Sequence, residues 1–279
     1  MAIKDLLVAF NDDRGARTAL KFALQMATKY DAQVRGIYIY RPHTYGSSVR
    51  HWIPDDVFAT MSRAEAEAAE KIETAFRQLI IETGHTGPVH FRIETGQPDL
   101  TLARAARYHD LLLIGQFDGG RDRKHRELQP EHLVERAGKP IVVIPSSYEL
   151  RPFKEVAAVA WDASRSAARA LSDAMQILET KKTIDVLTID TGPDNMVSSD
   201  MPEFDIVQHL ERHDIAAQRL RLTASAHGIG QSILDHCARS DPDVLVMGAF
   251  GRSKIVSRIF GGVTSHILEN MKVPVLISH

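Results

Sequence analysis

Residues 244–275 read VLVMGAFGRSKIVSRIFGGVTSHILENMKVPV, and their pattern decides the fold. The apolar run Val244–Met247 has the length of a buried strand, and Gly248 closes it. Gly251 follows three residues on, and Gly261 and Gly262 come after a nine-residue spacer. A helical pattern then runs from Val263 to Met271 and leads into a second apolar strand at Val273. Strand, glycine loop, helix, strand is the order of a phosphate site. Glycines let the backbone approach an anion closely, and unpaired N–H groups at a helix start face the negative group. Turn-shaping is the other use of such glycines, and the spacing alone fits both.

Working outward, the same unit occurs twice. LLVAFNDDRGARTALKFALQMA, from Leu6, and EVAAVAWDASRSAARALSDAMQIL, from Glu155, each place an apolar strand before a turn and a helix. Aligning Ala19-Leu20 with Ala170-Leu171 gives an offset of 151, which pairs Asn11 with Asp162 and Asp13 with Ser164. DLLLIGQF from Asp110 matches DVLVMGAF from Asp243 at an offset of 133, and KPIVVIP from Lys139 matches VPVLIS from Val273 at 134. The chain is a tandem repeat whose first copy is longer by 18 residues in the middle. Strands are expected near 3–10, 34–40, 89–94, 110–115 and 140–145, with helices near 14–29, 56–83, 98–108 and 130–137. In the second copy strands are expected near 154–161, 183–189, 217–223, 243–248 and 273–278, with helices near 165–179, 203–213, 227–239 and 262–270.

Strands alternating with helices imply βαβ units and right-handed crossovers. The expected fold is α/β: two Rossmann-like domains, each a five-stranded, mainly parallel sheet with helices on both faces, packed as an internal pseudo-dimer. The boundaries read 1–147, a polar linker at 148–154, and 155–279. The terminal strands Pro140–Pro145 and Pro274–His279 are natural candidates to pair across the interface, because an unpaired edge invites a partner. Ligands of such sheets bind at the carboxyl ends of strands. Asp162, Thr188 to Asp190, the glycine loop and Gly261-Gly262 should therefore converge.

Composition narrows the function. The chain of 279 residues is 44% hydrophobic and 25% charged, as in ordinary globular proteins, and it has no apolar run of membrane-spanning length. The N-terminus lacks the apolar core of a signal peptide, so a cytoplasmic protein is expected. Net charge is −2, with 20 Lys and Arg against 20 Asp and Glu in residues 1–150, which argues against a nucleic-acid partner. A single cysteine, Cys237, excludes an internal disulfide and any cysteine-rich metal site.

Taken together, the opening strand with Asp162, the Ala-Leu helix and D-L/V-L-L/V-I/M-G strand of each copy, and Gly248-x-x-Gly251-x9-Gly261 resemble the universal stress protein family in its tandem form. The resemblance implies an adenine nucleotide, ATP or AMP. Asp162 and Thr188 would flank adenine and ribose, with Gly248, Gly251, Gly261, Gly262 and Val263 around ribose and phosphates. In ATP-binding members the final glycine precedes Ser or Thr; here Gly262 stands there, with Thr264 and Ser265 one turn on as substitutes. Helix entry is an equal reading of Asp162, and plain β propensity fits Thr188. The first copy departs from the pattern: Asp118, Leu128 and Gln129 replace Gly251, Gly261 and Gly262, so it is expected to hold no triphosphate by this route.

Other constellations carry less. His209 and His213 have the i, i+4 spacing of a zinc pair, but Glu211 is misplaced for a zincin and no metal is expected. His236 beside Cys237 reads as helix packing. Gly228-Ile-Gly230 fails as a dinucleotide fingerprint because Ile233 takes the third glycine's place. Lys254 and Arg258 lie where they could reach phosphates, or simply face solvent. No P-loop or nucleophile elbow is present. For slow hydrolysis the candidate bases are Asp162 and His227. The leading expectation is a nucleotide-binding stress-response protein whose occupancy alters contact with an unidentified protein partner. A protein-interaction module of the same fold, alone or as a homodimer, or a small-molecule carrier using the insertion His43–Asp56, are the alternatives. Trp52 and Ile53 in that insertion read as anchors to the core.

Overall fold

The structure is a computed structural model that describes residues 3–41, 54–116, 130–190, 205–249 and 262–279. The first copy contributes β1 (Asp5–Ala9), α1 (Arg14–Tyr30), β2 (Gln33–Tyr40), α2 (Asp55–Thr83), β3 (Val89–Thr95), α3 (Pro98–Ala106), β4 (Leu111–Gly115), α4 (Pro130–Ala137) and β5 (Ile141–Ile144). The second contributes β6 (Val156–Ala160), α5 (Arg165–Leu178), β7 (Thr183–Asp190), α6 (Ile206–Glu211), β8 (Ala217–Thr223), α7 (Ile229–Ser240), β9 (Val244–Gly248), α8 (Gly262–Asn270) and β10 (Val275–Ser278). These elements follow the expected order closely. The main departure is α6, which stops at Glu211 because Asp214 turns the chain at φ 58°.

All ten strands form one sheet in the order β3-β2-β1-β4-β5-β10-β9-β6-β7-β8. Strands are parallel within each half, and β5 meets β10 antiparallel, with Val143 opposite Val275 and Ile141 opposite Ile277. The terminal strands thus pair with each other, as their sequence suggested. That single antiparallel step turns the two halves head to tail, so their carboxyl edges point to opposite ends of the sheet.

Alternation along the strands splits the core into two layers. Leu6, Val8, Val159, Ile184 and Val186 pack under α1, α2, α5 and α6. Leu7, Ile37, Ala158, Leu187 and Leu245 pack under α3, α4, α7 and α8. The extra length of the first copy falls in the β2–β3 crossover, which contains the 29-residue α2. Phe76 of α2 stacks among Phe10 and Phe91, at centroid distances of 5.2 and 4.6 Å. The matching crossover of the second copy contains α6, of 6 residues, and Asp205 at its start accepts from Arg219 of β8 at 2.8 Å.

The linker is tied to both halves. Phe22 of α1 meets Tyr148 and Phe153 edge to face, and Gln25 Nε2 donates to Arg151 O at 2.6 Å. Beneath them Asp243, 1% exposed, accepts from Lys154 N, Glu155 N, Arg151 Nη1 and Lys181 Nζ at 2.8–3.1 Å. Lys29 of α1 pairs with Glu155 at 2.5 Å, and Tyr30 Oη bonds Thr180 Oγ1 at 3.1 Å. Burial raises Tyr30 to about 12, with the nearby charges of Glu155 and Asp243 adding to the rise and the Thr180 hydrogen bond opposing it.

Candidate functional site

In each half the strand order reverses beside its first strand, between β1 and β4 and between β6 and β9. Ligands of open α/β sheets occupy the crevice at such a switch point. In the second copy β6 runs out into Trp161-Asp162-Ala163-Ser164, the turn before α5. Asp162 Oδ1 accepts from Ser164 N at 3.0 Å, Ala163 turns at φ 55°, and Ser164 Oγ caps α5 by accepting from Ala167 N at 3.2 Å. The neighbouring β9 ends in Gly248, and a Cβ there would stand 2.5 Å from both Ala167 N and Ser166 C. The start of α5 thus lies against the end of β9, and the structure brings the Asp162 turn and the first loop glycine to one place.

The first copy has the same geometry. Asn11 Oδ1 accepts from Asp13 N at 3.3 Å, Asp12 turns at φ 64°, and Asp13 caps α1 through Ala16 N at 2.7 Å. A Cβ on Gly115 would stand 2.3 Å from Gly15 C. Gly248 and Asp162 therefore each have a scaffold role that needs no ligand.

The remaining residues are spread along the same edge. Thr188, half-buried on β7, donates its hydroxyl to Leu220 O at 3.5 Å and sits in register with the exposed Arg221. Because β9 and β10 are parallel, α8 between them must start at the carboxyl edge. Its first residue, Gly262, is exposed, with nothing within 4 Å of the place a side chain would occupy. Val263 packs partly on the core, and Thr264 is 3% exposed. His227 is exposed in the turn before α7, where its N–H donates to Ser225 Oγ at 3.2 Å. Gly251, Gly261, Lys254, Arg258, the first-copy positions Asp118, Leu128 and Gln129, and Trp52 and Ile53 fall outside the described residues.

α8 is held from two sides. His266 Nε2–H donates to Gln231 Oε1 at 3.1 Å, and Gln231 Nε2 donates to Asp235 on α7 at 2.7 Å. At its far end Gln116, the residue after β4 in the first copy, donates through Nε2 to Leu268 O at 2.9 Å and Glu269 O at 3.2 Å.

Three polar arrangements escape sequence reasoning: this Gln116 bridge, the Asp243 cluster, and a buried pair on the α7 side of the sheet. In the last, His236 Nε2–H donates to Asp185 Oδ2 at 3.0 Å, and Gln218 donates to Asp185 Oδ1 at 2.7 Å. A signal existed for that pair: Asp185 interrupts an apolar strand, where an ionised residue needs a partner. Burial, and then the charge of Asp185, raises the adjacent Cys237 thiol to about 12, which leaves it protonated and inert. His209 and His213 stand 5.0 Å apart, centroid to centroid, and among the described residues no group of three His, Cys, Asp or Glu could hold a metal ion. Among them, too, no helix is long and apolar enough to cross a membrane.

Comparison with known proteins places this geometry. The family model described as the universal stress protein family matches residues 2–145 and again 156–279. A universal stress protein from Archaeoglobus fulgidus superposes with a TM-score of 0.71 at 16% identity, covering 98% of this chain and 97% of its own. A putative universal stress protein from Pseudomonas aeruginosa gives 0.60 at 16% identity, covering 99% and 93%. A search of curated proteins returned no match. Two family matches in one chain, each over a complete five-stranded half, show that the protein belongs to the universal stress protein family, in tandem form.

Proposed function

We propose that the chain is a stress-response protein that binds one adenine nucleotide, ATP or AMP, at the carboxyl edge of its second copy. What carries the reading is where the chain's intact glycine pattern begins and ends: Gly248 and the exposed Gly262 both stand on the carboxyl edge at the β6/β9 switch point, and the first copy has Gln129 in place of Gly262. The start of α8 lies on the same edge, and a helix start is where backbone N–H groups and the helix dipole favour a phosphate. Gly251 and Gly261 would let the backbone close on the phosphates, Val263 would line their approach, and Thr188 would stand beside the base. Adenine is the base that the family resemblance implies. The absence of a side chain at Gly262 makes phosphate recognition here a matter of backbone groups. Occupancy would then change how this edge presents itself to a protein partner. With β5 and β10 paired inside the chain, such a partner has to use another surface.

The test is direct. Purified protein is denatured, released nucleotide is identified by mass spectrometry, and the emptied protein is titrated with ATP and AMP. Saturable binding at cellular concentrations is expected, and its absence for both nucleotides defeats the reading. Gly251→Arg and Gly261→Val should each abolish binding with melting still cooperative, whereas Asp118→Asn in the first copy should leave affinity unchanged.

A further inference from the structure

α8 joins the proposed nucleotide site to the first copy. Its last four carbonyls have no partner within the helix. Two of them, Leu268 O and Glu269 O, accept from the side-chain amide of Gln116, a residue 152 and 153 positions away. The other end of that amide is fixed as well, since Gln116 Oε1 accepts from Ser146 N at 3.3 Å and Gln116 N donates to Ile144 O at 2.6 Å. Among the described residues the contact runs in one direction only. Ala249 matches Gln116 in the second copy and repeats its backbone bond, donating to Ser278 O at 2.8 Å, but its methyl group has nothing to donate. The end of α4 in the first copy is served from within, by Arg107 Nη2 donating to Arg136 O at 2.9 Å. The copy that lost the glycine loop therefore anchors the closing helix of the copy that kept it.

We infer that Gln116 is a positioning residue for the nucleotide site, acting across the pseudo-dimer by fixing the C-terminal end of α8. This inference rests on the nucleotide reading above. The physical reason is the stiffness of a nine-residue helix already held along its side by His266 and Gln231. A donor at the carbonyl end completes the restraint and favours the helix dipole, so the N–H groups at Gly262 stay aimed at one point. The first copy thereby has a task in the second copy's binding without holding a ligand itself.

Three variants separate donation from shape. Gln116→Glu keeps the shape but sets a carboxylate against two carbonyls, Gln116→Ala removes the group, and Gln116→Lys restores a donor of different shape. ATP and AMP titrations should rank wild type and Gln116→Lys together, Gln116→Ala about five- to tenfold weaker, and Gln116→Glu weaker still. Backbone amide exchange over residues 262–271, measured without nucleotide, should quicken in the same order. Unchanged affinity and exchange in all three variants overturns the inference, as does a ranking in which Gln116→Glu matches wild type and Gln116→Lys fails. If wild type binds neither nucleotide, the nucleotide reading falls by itself. The exchange ranking then decides the clamp: the predicted order upholds it and any other refutes it.

Discussion

The two halves of this chain solve the same backbone problems with matched residues and then part company in what surrounds them. Asp110 and Asp243 each accept from two consecutive backbone N–H groups where the chain enters the neighbouring strand, Lys4 and Asp5 before and at the start of β1, and Lys154 and Glu155 just before β6. Asp110 is half exposed; Asp243 is sealed between the halves and carries Lys181, whose side chain is 3% exposed. Gly115 and Gly248 both make room for a helix start, and Asn11 and Asp162 both tie the turn before it. A residue kept in both halves is thus explained by the scaffold. Binding has to be sought where the halves differ: Thr188 against Tyr38, Ala249 against Gln116, and the loop that leads to Gly262.

That comparison can be broken at its strongest point first. Asp243→Ala removes the main partner of a buried lysine and should cost about 3–5 kcal/mol in urea denaturation, while Asp110→Ala should cost about 1–2 kcal/mol. Equal losses would mean that the inter-copy cluster adds nothing to the shared backbone role. Next, Gly248→Ala and Gly115→Ala each drive a Cβ into backbone, so both should lose about 1–3 kcal/mol by the same assay. If only Gly248→Ala disturbed the protein, the scaffold explanation of the pair would be wrong. Gly262→Ser is the smallest change: stability should stay within about 0.5 kcal/mol, and the added hydroxyl should tighten nucleotide binding about three- to tenfold in titration calorimetry.

Acid and alkali test the interface between the halves from opposite sides. Burial pushes the Asp243 carboxyl up, but hydrogen bonds from Lys181, Lys154 N and Glu155 N, with the charge of Lys181, bring it below the usual carboxylate range. Its contribution is therefore fully present above that range and is lost as pH falls through the depressed value. Tyr30 is the reverse case. Raised to about 12 chiefly by burial, it is neutral in the fold when an unfolded tyrosine would ionise, so stability should fall as pH rises from about 10 to 12. Melting curves across both windows check the two signs.

Much of this was legible in the sequence. The strand at 217–223 and the helix at 262–270 fall where the pattern put them, because period and turn residues are local properties. Partner choice for the terminal strands was legible too, since an unpaired edge in each copy leaves few other solutions. The site was only half legible. The glycines announced a loop, but nothing in the spacing told that Gly248 is required by helix packing or that Thr264 is buried. His213 looked like the second member of a helical pair, yet the helix ends before it.

By itself, then, the sequence determined two α/β units, the order of their strands and helices, and the copy that retains a glycine loop, because each of these is written within a few adjacent turns of chain. The tertiary structure decided the tasks of Asp243, Asp185 and Gln116. Each meets, through its side chain, partners that the chain brings from 30 to 153 positions away, and hydrogen bonds at such separations depend on sheet order and on the antiparallel β5–β10 step rather than on any local pattern.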